Sequence, residues 1–140
     1  METDTIIKRA KKLLEKELRW RHEILIVVAK LLAENKTPLR TLINILDVHF
    51  DCYIVEAVQI FRKIDIANAD DIFDILVKVQ LTESHIAYIM TKLLGIYPGY
   101  VGSLLAQRFH LDTRIATRIA LSPVDPKEGI RTILEKEESS

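Results

Sequence analysis

The chain has 140 residues, enough to bury roughly 70% of its unfolded surface with no metal or disulfide staple. Lys plus Arg and Asp plus Glu each number 20, and the single cysteine, Cys52, excludes an intrachain disulfide. The longest apolar run, residues 24–29, is far short of the roughly 20 residues that span a bilayer.

These features predict a soluble cytoplasmic protein in a reducing compartment, with residues 1–140 forming one helical repeat domain and no membrane partner. The first residues, Met1-Glu2-Thr3-Asp4, carry no signal-peptide pattern. Abundant isoleucine and scarce Asn and Gln lean toward a thermophilic source. Charge is unevenly spread. Residues 1–36 hold nine Lys/Arg against six Asp/Glu, residues 37–97 five against eight, and residues 98–140 six of each. A basic first segment and an acidic middle predict attraction within the chain or between copies, so a homo-oligomer is compatible with the composition.

In chain order, residues 4–35 read as helix. Ile7, Leu14, Leu18, Leu25, Val28 and Leu32 keep roughly helical spacing. No Gly, Pro or clear cap interrupts them, so this is one long helix or two with a tight bend near 19–22. Residues 24–33 are apolar on almost every face, which predicts a place in the core or in an oligomer interface.

A joint then recurs three times: Val48-His49-Phe50-Asp51, Val79-Gln80-Leu81-Thr82 and Phe109-His110-Leu111-Asp112. In each, an apolar, a polar and an apolar residue precede a candidate N-cap. Asp51, Thr82 and Asp112 would accept hydrogen bonds from the free N–H groups of the next helix. Phe50 with Val55, Leu81 with Ile86 and Leu111 with Ala116 have the spacing of a hydrophobic staple. The caps lie 31 and 30 residues apart. On this reading His49, Gln80 and His110 share one slot of the repeat. Outer boundaries keep the period: Thr37-Pro38 opens the first unit as a cap and first helical position, Asn68 the second and Pro98 the third. Asp70 and Asp71 in the first turn after Asn68 suit the helix dipole.

The expected fold is therefore all-α. Three stacked antiparallel helical hairpins, residues 37–67, 68–97 and 98–124, have a period of about 30 residues, as in a solenoid. Their helices are expected at 38–49 and 52–64, 69–80 and 83–94, and 98–109 and 113–121. Gly95 is a C-terminal cap, and Gly99 and Gly102 weaken their helix or admit another backbone. The N-terminal helix or helix pair, 1–36, and a C-terminal capping helix, 125–140, flank the hairpins. Asp125-Pro126-Lys127-Glu128 has the form of a capping box, and the helix it starts carries few apolar residues.

Candidate chemistry is sparse. Asp70, Asp71 and Asp74 form a D-D-x-x-D string, which resembles the magnesium-binding string of the all-helical prenyl-chain synthases. The chain is much too short for that family and has no second aspartate-rich motif, so the string reads as an acidic first turn. No two of His22, His49, His85 and His110 lie three or four residues apart. Cys52 falls at an expected first helical position, where a thiolate could be stabilised; the preferred reading is a partly buried structural thiol. No phosphate loop or nucleophile motif is present. No enzyme activity, cofactor or metal is expected.

Residues 104–119, with Ala106, Leu111, Ala116 and Ile119 at the apolar positions, resemble a DNA-binding helix-turn-helix. His110 stands where that motif usually has Gly. The resemblance implies that Thr113, Arg114, Thr117 and Arg118 face base edges and phosphates. Overall the pattern favours a non-catalytic protein–protein interaction or scaffold module with a protein partner. A DNA- or RNA-binding protein, using residues 104–119 and the basic first helix, is the alternative. The expected interaction surface is Trp20 and Arg21 on the basic segment, or the third hairpin around Tyr97, Tyr100, Arg108, Thr113, Arg114, Thr117 and Arg118.

Overall fold

The computed structural model describes residues 2–124. Among them are eight α-helices and no strand: α1 (Thr3–Lys16), α2 (Arg21–Glu34), α3 (Leu39–Phe50), α4 (Ile54–Lys63), α5 (Ala69–Lys78), α6 (Glu83–Tyr88), α7 (Pro98–Phe109) and α8 (Thr113–Leu121). A 3-10 turn, Leu18–Trp20, precedes α2, and a π turn, Ile89–Leu93, extends α6. The helix expected from Asp125 lies outside the described residues.

The N-terminal segment is two helices. Glu17 leaves the helical region at φ −131°, ψ 62°, and its carbonyl accepts from Trp20 N–H at 3.0 Å. Arg21 then returns to helical angles. The break contains no Gly or Pro, so residue propensity alone does not mark it.

The later helices begin and end by one device. Lys36, Asp51, Asp65, Gln80, Gly95 and His110 all have positive φ, between 50° and 69°, and recur every 14 or 15 residues. This left-handed residue reverses the chain and lets orphan carbonyls of the last turn be satisfied. The next residue's N–H reaches back five positions at Thr37, Ile66 and Leu111, to Leu32, Phe61 and Ala106. At Cys52 and Ile96 it reaches back six, to Leu46 and Met90. Five helices have their N-cap two residues past the left-handed one, at Pro38, Tyr53, Thr82, Tyr97 and Asp112.

Two of these caps are as expected. Thr82 Oγ accepts from His85 N–H, and the Asp112 carboxylate accepts from Arg114 N–H. Pro98 takes its expected place as first helical residue, and Gly95 is the left-handed residue closing the helix end, one position past the C-cap Leu94. Asp51 does not N-cap a helix. It is the left-handed residue ending α3, and Tyr53 holds the N-cap position of α4. The first joint is therefore displaced by two residues: Asp51, not His49, corresponds to Gln80 and His110. Pro38 is the N-cap residue of α3, not its first helical residue.

The chain divides into two compact units, Met1–Asn68 and Ala69–Ser140. In the first, α1 folds back along α2, and this pair packs on the pair α3 and α4. Leu25, Leu32, Leu42, Leu46, Ile60 and Phe61 are its largest fully buried side chains. In the second, α6 touches α5, α7 and α8, and α7 lies close along α8. Ile72, Leu76, Ile86, Ile89, Met90 and Leu105 are its largest fully buried side chains. A Cβ on Gly102 would lie 3.3 Å from Thr117 Cα, so the bare glycine admits the α8 backbone to α7.

Candidate functional site

An apolar concavity with a volume of about 310 Å³ lies between α1 and α2. Ile6, Ala10 and Leu13 form one wall; Ile24, Val27 and Leu31 form the other. Arg9 and Glu23 contribute the charged rim, and no residue of α3 or α4 lines the groove. It arises because each helix carries two adjacent apolar stripes. In α1, Ile6, Ala10 and Leu13 run beside Ile7 and Leu14. In α2, buried Val28 lies in the groove lining and Leu32 is enclosed, while Val27 stands 54% exposed. Leu13 is 53% exposed. These wall residues are absent from the surface expected from sequence. The doubled pairs Ile6-Ile7, Leu13-Leu14 and Val27-Val28 were the signal that could have found them.

Of the expected surface residues, several serve as internal ties. Arg21 is half-buried and grips the Glu56 carboxylate with one nitrogen, at 2.8 and 3.0 Å. Its other terminal nitrogen donates to the carbonyls of Phe50 and Asp51, both at 3.2 Å. The guanidinium thus closes the C-terminus of α3 against α4, where a cation is favoured. Trp20, beside it in the 3-10 turn, is about half exposed, with the Arg19 guanidinium carbon 5.4 Å from its ring centroid.

In the second unit, Tyr100 donates to the Asp70 carboxylate, and Arg108 pairs with Asp74 while lying over the Phe73 ring. The Asp70 hydrogen bond raises the Tyr100 phenol above its ordinary pKa. Phe73 and Phe109 meet edge to face at 6.5 Å. Asp70 and Asp74 therefore tie α5 to α7, and Asp71 also has a partner. The D-D-x-x-D string is a helix-packing device in this chain. Tyr97 is at the N-cap of α7 and largely exposed, its ring beside Gly99.

The remaining candidates are brought together on α8. Thr113, Arg114, Thr117 and Arg118 line a shallow concavity with Leu121 and Ser122. Arg114 and Arg118 are exposed, and among the described residues neither side chain has an ion-pair partner. His110 adopts φ 54°, the left-handed conformation for which the helix-turn-helix usually uses Gly. Ala116 is fully buried, and Ala106, Leu111 and Ile119 are half-buried.

No family model, curated protein or solved structure matches this chain. Its site is thus read from its own chemistry. Among the described residues no three His, Cys, Asp or Glu side chains are grouped to hold a metal. No described helix is long and apolar enough to cross a membrane. His49 meets Lys11, with Nζ 3.1 Å from Nδ1. Cys52 does not begin a helix. It is buried in the turn before α4, where burial and then Glu56 push its thiol up to about 12. A neutral, covered thiol is a poor nucleophile.

Proposed function

We propose that the chain is a non-catalytic helical module that binds protein, with the α1–α2 groove as its binding face. One observation carries this reading. A nearly uniformly apolar groove stays open beside half-exposed Leu13 and Val27, and apolar surface of this kind is gained back when a partner covers it. Two further features support the non-catalytic part. The Asp70, Asp74, Glu56 and Arg21 side chains are engaged in packing, and Cys52 is held neutral. The three-hairpin solenoid belongs to the same reading. Layered helix pairs inside each unit and the 14- or 15-residue recurrence of left-handed residues support it.

The test is affinity capture with wild type, Leu13→Glu/Val27→Glu and Arg114→Ala/Arg118→Ala. A partner is identified by mass spectrometry and then rebound as purified protein. The groove variant is expected to weaken that binding about 100-fold, as loss of central apolar anchors does. The arginine variant should bind as wild type. Binding that ignores the groove variant would refute the assignment.

The unpaired Arg114 and Arg118 favour one second reading, nucleic-acid binding through α7 and α8. It predicts affinity for duplex DNA that falls steeply between 50 and 200 mM salt, at roughly one counterion per phosphate contact. Arg114→Ala/Arg118→Ala should abolish it. Absence of binding at the lower salt would remove this reading.

A further inference from the structure

We infer that the α1–α2 groove is closed by a second copy of this chain, the two helix pairs forming a four-helix bundle across a two-fold axis. The inference rests on the groove being the binding face, and it names the occupant.

The first argument is the incomplete covering of α2. This helix is apolar on nearly every side, the pattern of a helix enclosed all round. Its inner face is enclosed, yet Ile24, Val27 and Leu31 open onto the groove. A helix pair that ends a layered stack needs a polar outer face to remain solvated alone. The α1–α2 pair has an apolar one, on the side where no residue of α3 or α4 contributes. A second α1–α2 pair supplies matching apolar ridges at helical spacing, which is how two hairpins complete a bundle.

The second argument is charge. Arg9 stands on the α1 wall and Glu23 on the α2 wall. Both are exposed, and among the described residues neither is ion-paired. A two-fold axis running along the groove lays α1 of one copy over α2 of the other. Each Arg9 then faces the wall that carries the second copy's Glu23, and the contact occurs twice. The other exposed charges agree with this orientation. Exposed Lys8, Arg9, Lys11, Lys12 and Lys16 against Asp4 and Glu15 leave α1 net basic, whereas in α2 Glu23 and Glu34 offset Lys30 and half-buried Arg21. The alternative two-fold sets α1 over α1 and opposes two net-basic helices. The first orientation thus pairs Arg9 with the Glu23 wall and keeps the two basic helices apart, and electrostatics of this kind choose register and partner.

Sedimentation velocity of the full chain over a concentration series tests this. Wild type should be dimeric at about 50 µM. Leu13→Glu/Val27→Glu should be monomeric with unchanged helical circular dichroism, because both side chains are already half exposed. Arg9→Glu and Glu23→Arg, both on the surface, should each weaken the dimer about tenfold, and the combined swap should restore it. A wild type that stays monomeric at about 100 µM overturns the inference. So does a dimer that tolerates Leu13→Glu/Val27→Glu, or a combined swap no better than its parts. A monomeric wild type whose purified foreign partner is still lost in the groove variant would sink self-pairing alone and leave the binding-module reading standing.

Discussion

At the residue scale, Arg21 shows how a surface-looking cation becomes structural. Its planar fork joins one carboxylate and two backbone carbonyls, a geometry that a lysine's point charge does not reproduce. Arg21→Ala is expected to cost about 2 kcal/mol, and Arg21→Lys to recover less than half of it, measured by urea unfolding. Cys52 gives a pH signature. Burial and Glu56 raise the thiol from its ordinary 9.0 to about 12, so the folded chain keeps the proton that the unfolded chain loses. Its contribution is complete below pH 9 and is lost as pH rises from 9 to 12. Cys52→Ala should flatten that alkaline limb in thermal melts. In the native wild type, the thiol should react with an aromatic disulfide reagent at pH 8 far more slowly than in denaturant.

At the element scale, the left-handed residue is the repeating unit of construction. Five of the six positions are filled by side chains that bear a steric cost there, and only Gly95 is free of it. Gln80→Gly and Lys36→Gly should therefore stabilise by about 1 kcal/mol each, seen as higher melting temperatures. Gly95→Ala should cost a similar amount. The α7–α8 contact makes the opposite demand on Gly102. Branched carbon at that position meets the Thr117 backbone, so Gly102→Val is expected to destabilise by about 2–3 kcal/mol. Helix limits were readable from sequence at this scale: α3 expected at 38–49 runs Leu39–Phe50, and α8 expected at 113–121 runs Thr113–Leu121. Asp51 was misplaced because Asp is both a good N-cap and a tolerated left-handed residue. Only the carbonyl it reverses onto, Leu46, separates the two roles.

At the scale of the whole molecule, each unit has its own set of fully buried apolar side chains. Phe61→Ala in the first should cost about 3–5 kcal/mol, read as a lower urea midpoint of the Trp20 fluorescence transition. The sequence by itself determined that the described chain is helical throughout, and where most helices start and stop. Periodicity, Pro98, Gly95, Thr82 and Asp112 act over one or two turns, so they are legible without knowing any neighbour. Only the tertiary structure decided what the surface does. Arg21, Tyr100 and Arg108 were expected to face a partner, yet each is engaged by a carboxylate 30 to 35 residues away. Val27 belongs to the run expected in the core or in an oligomer interface, and Leu13 to no expected surface, yet both stand half open. The reason is physical: a helix's sequence specifies which of its faces are apolar or charged, but which face is covered depends on the helices that pack against it.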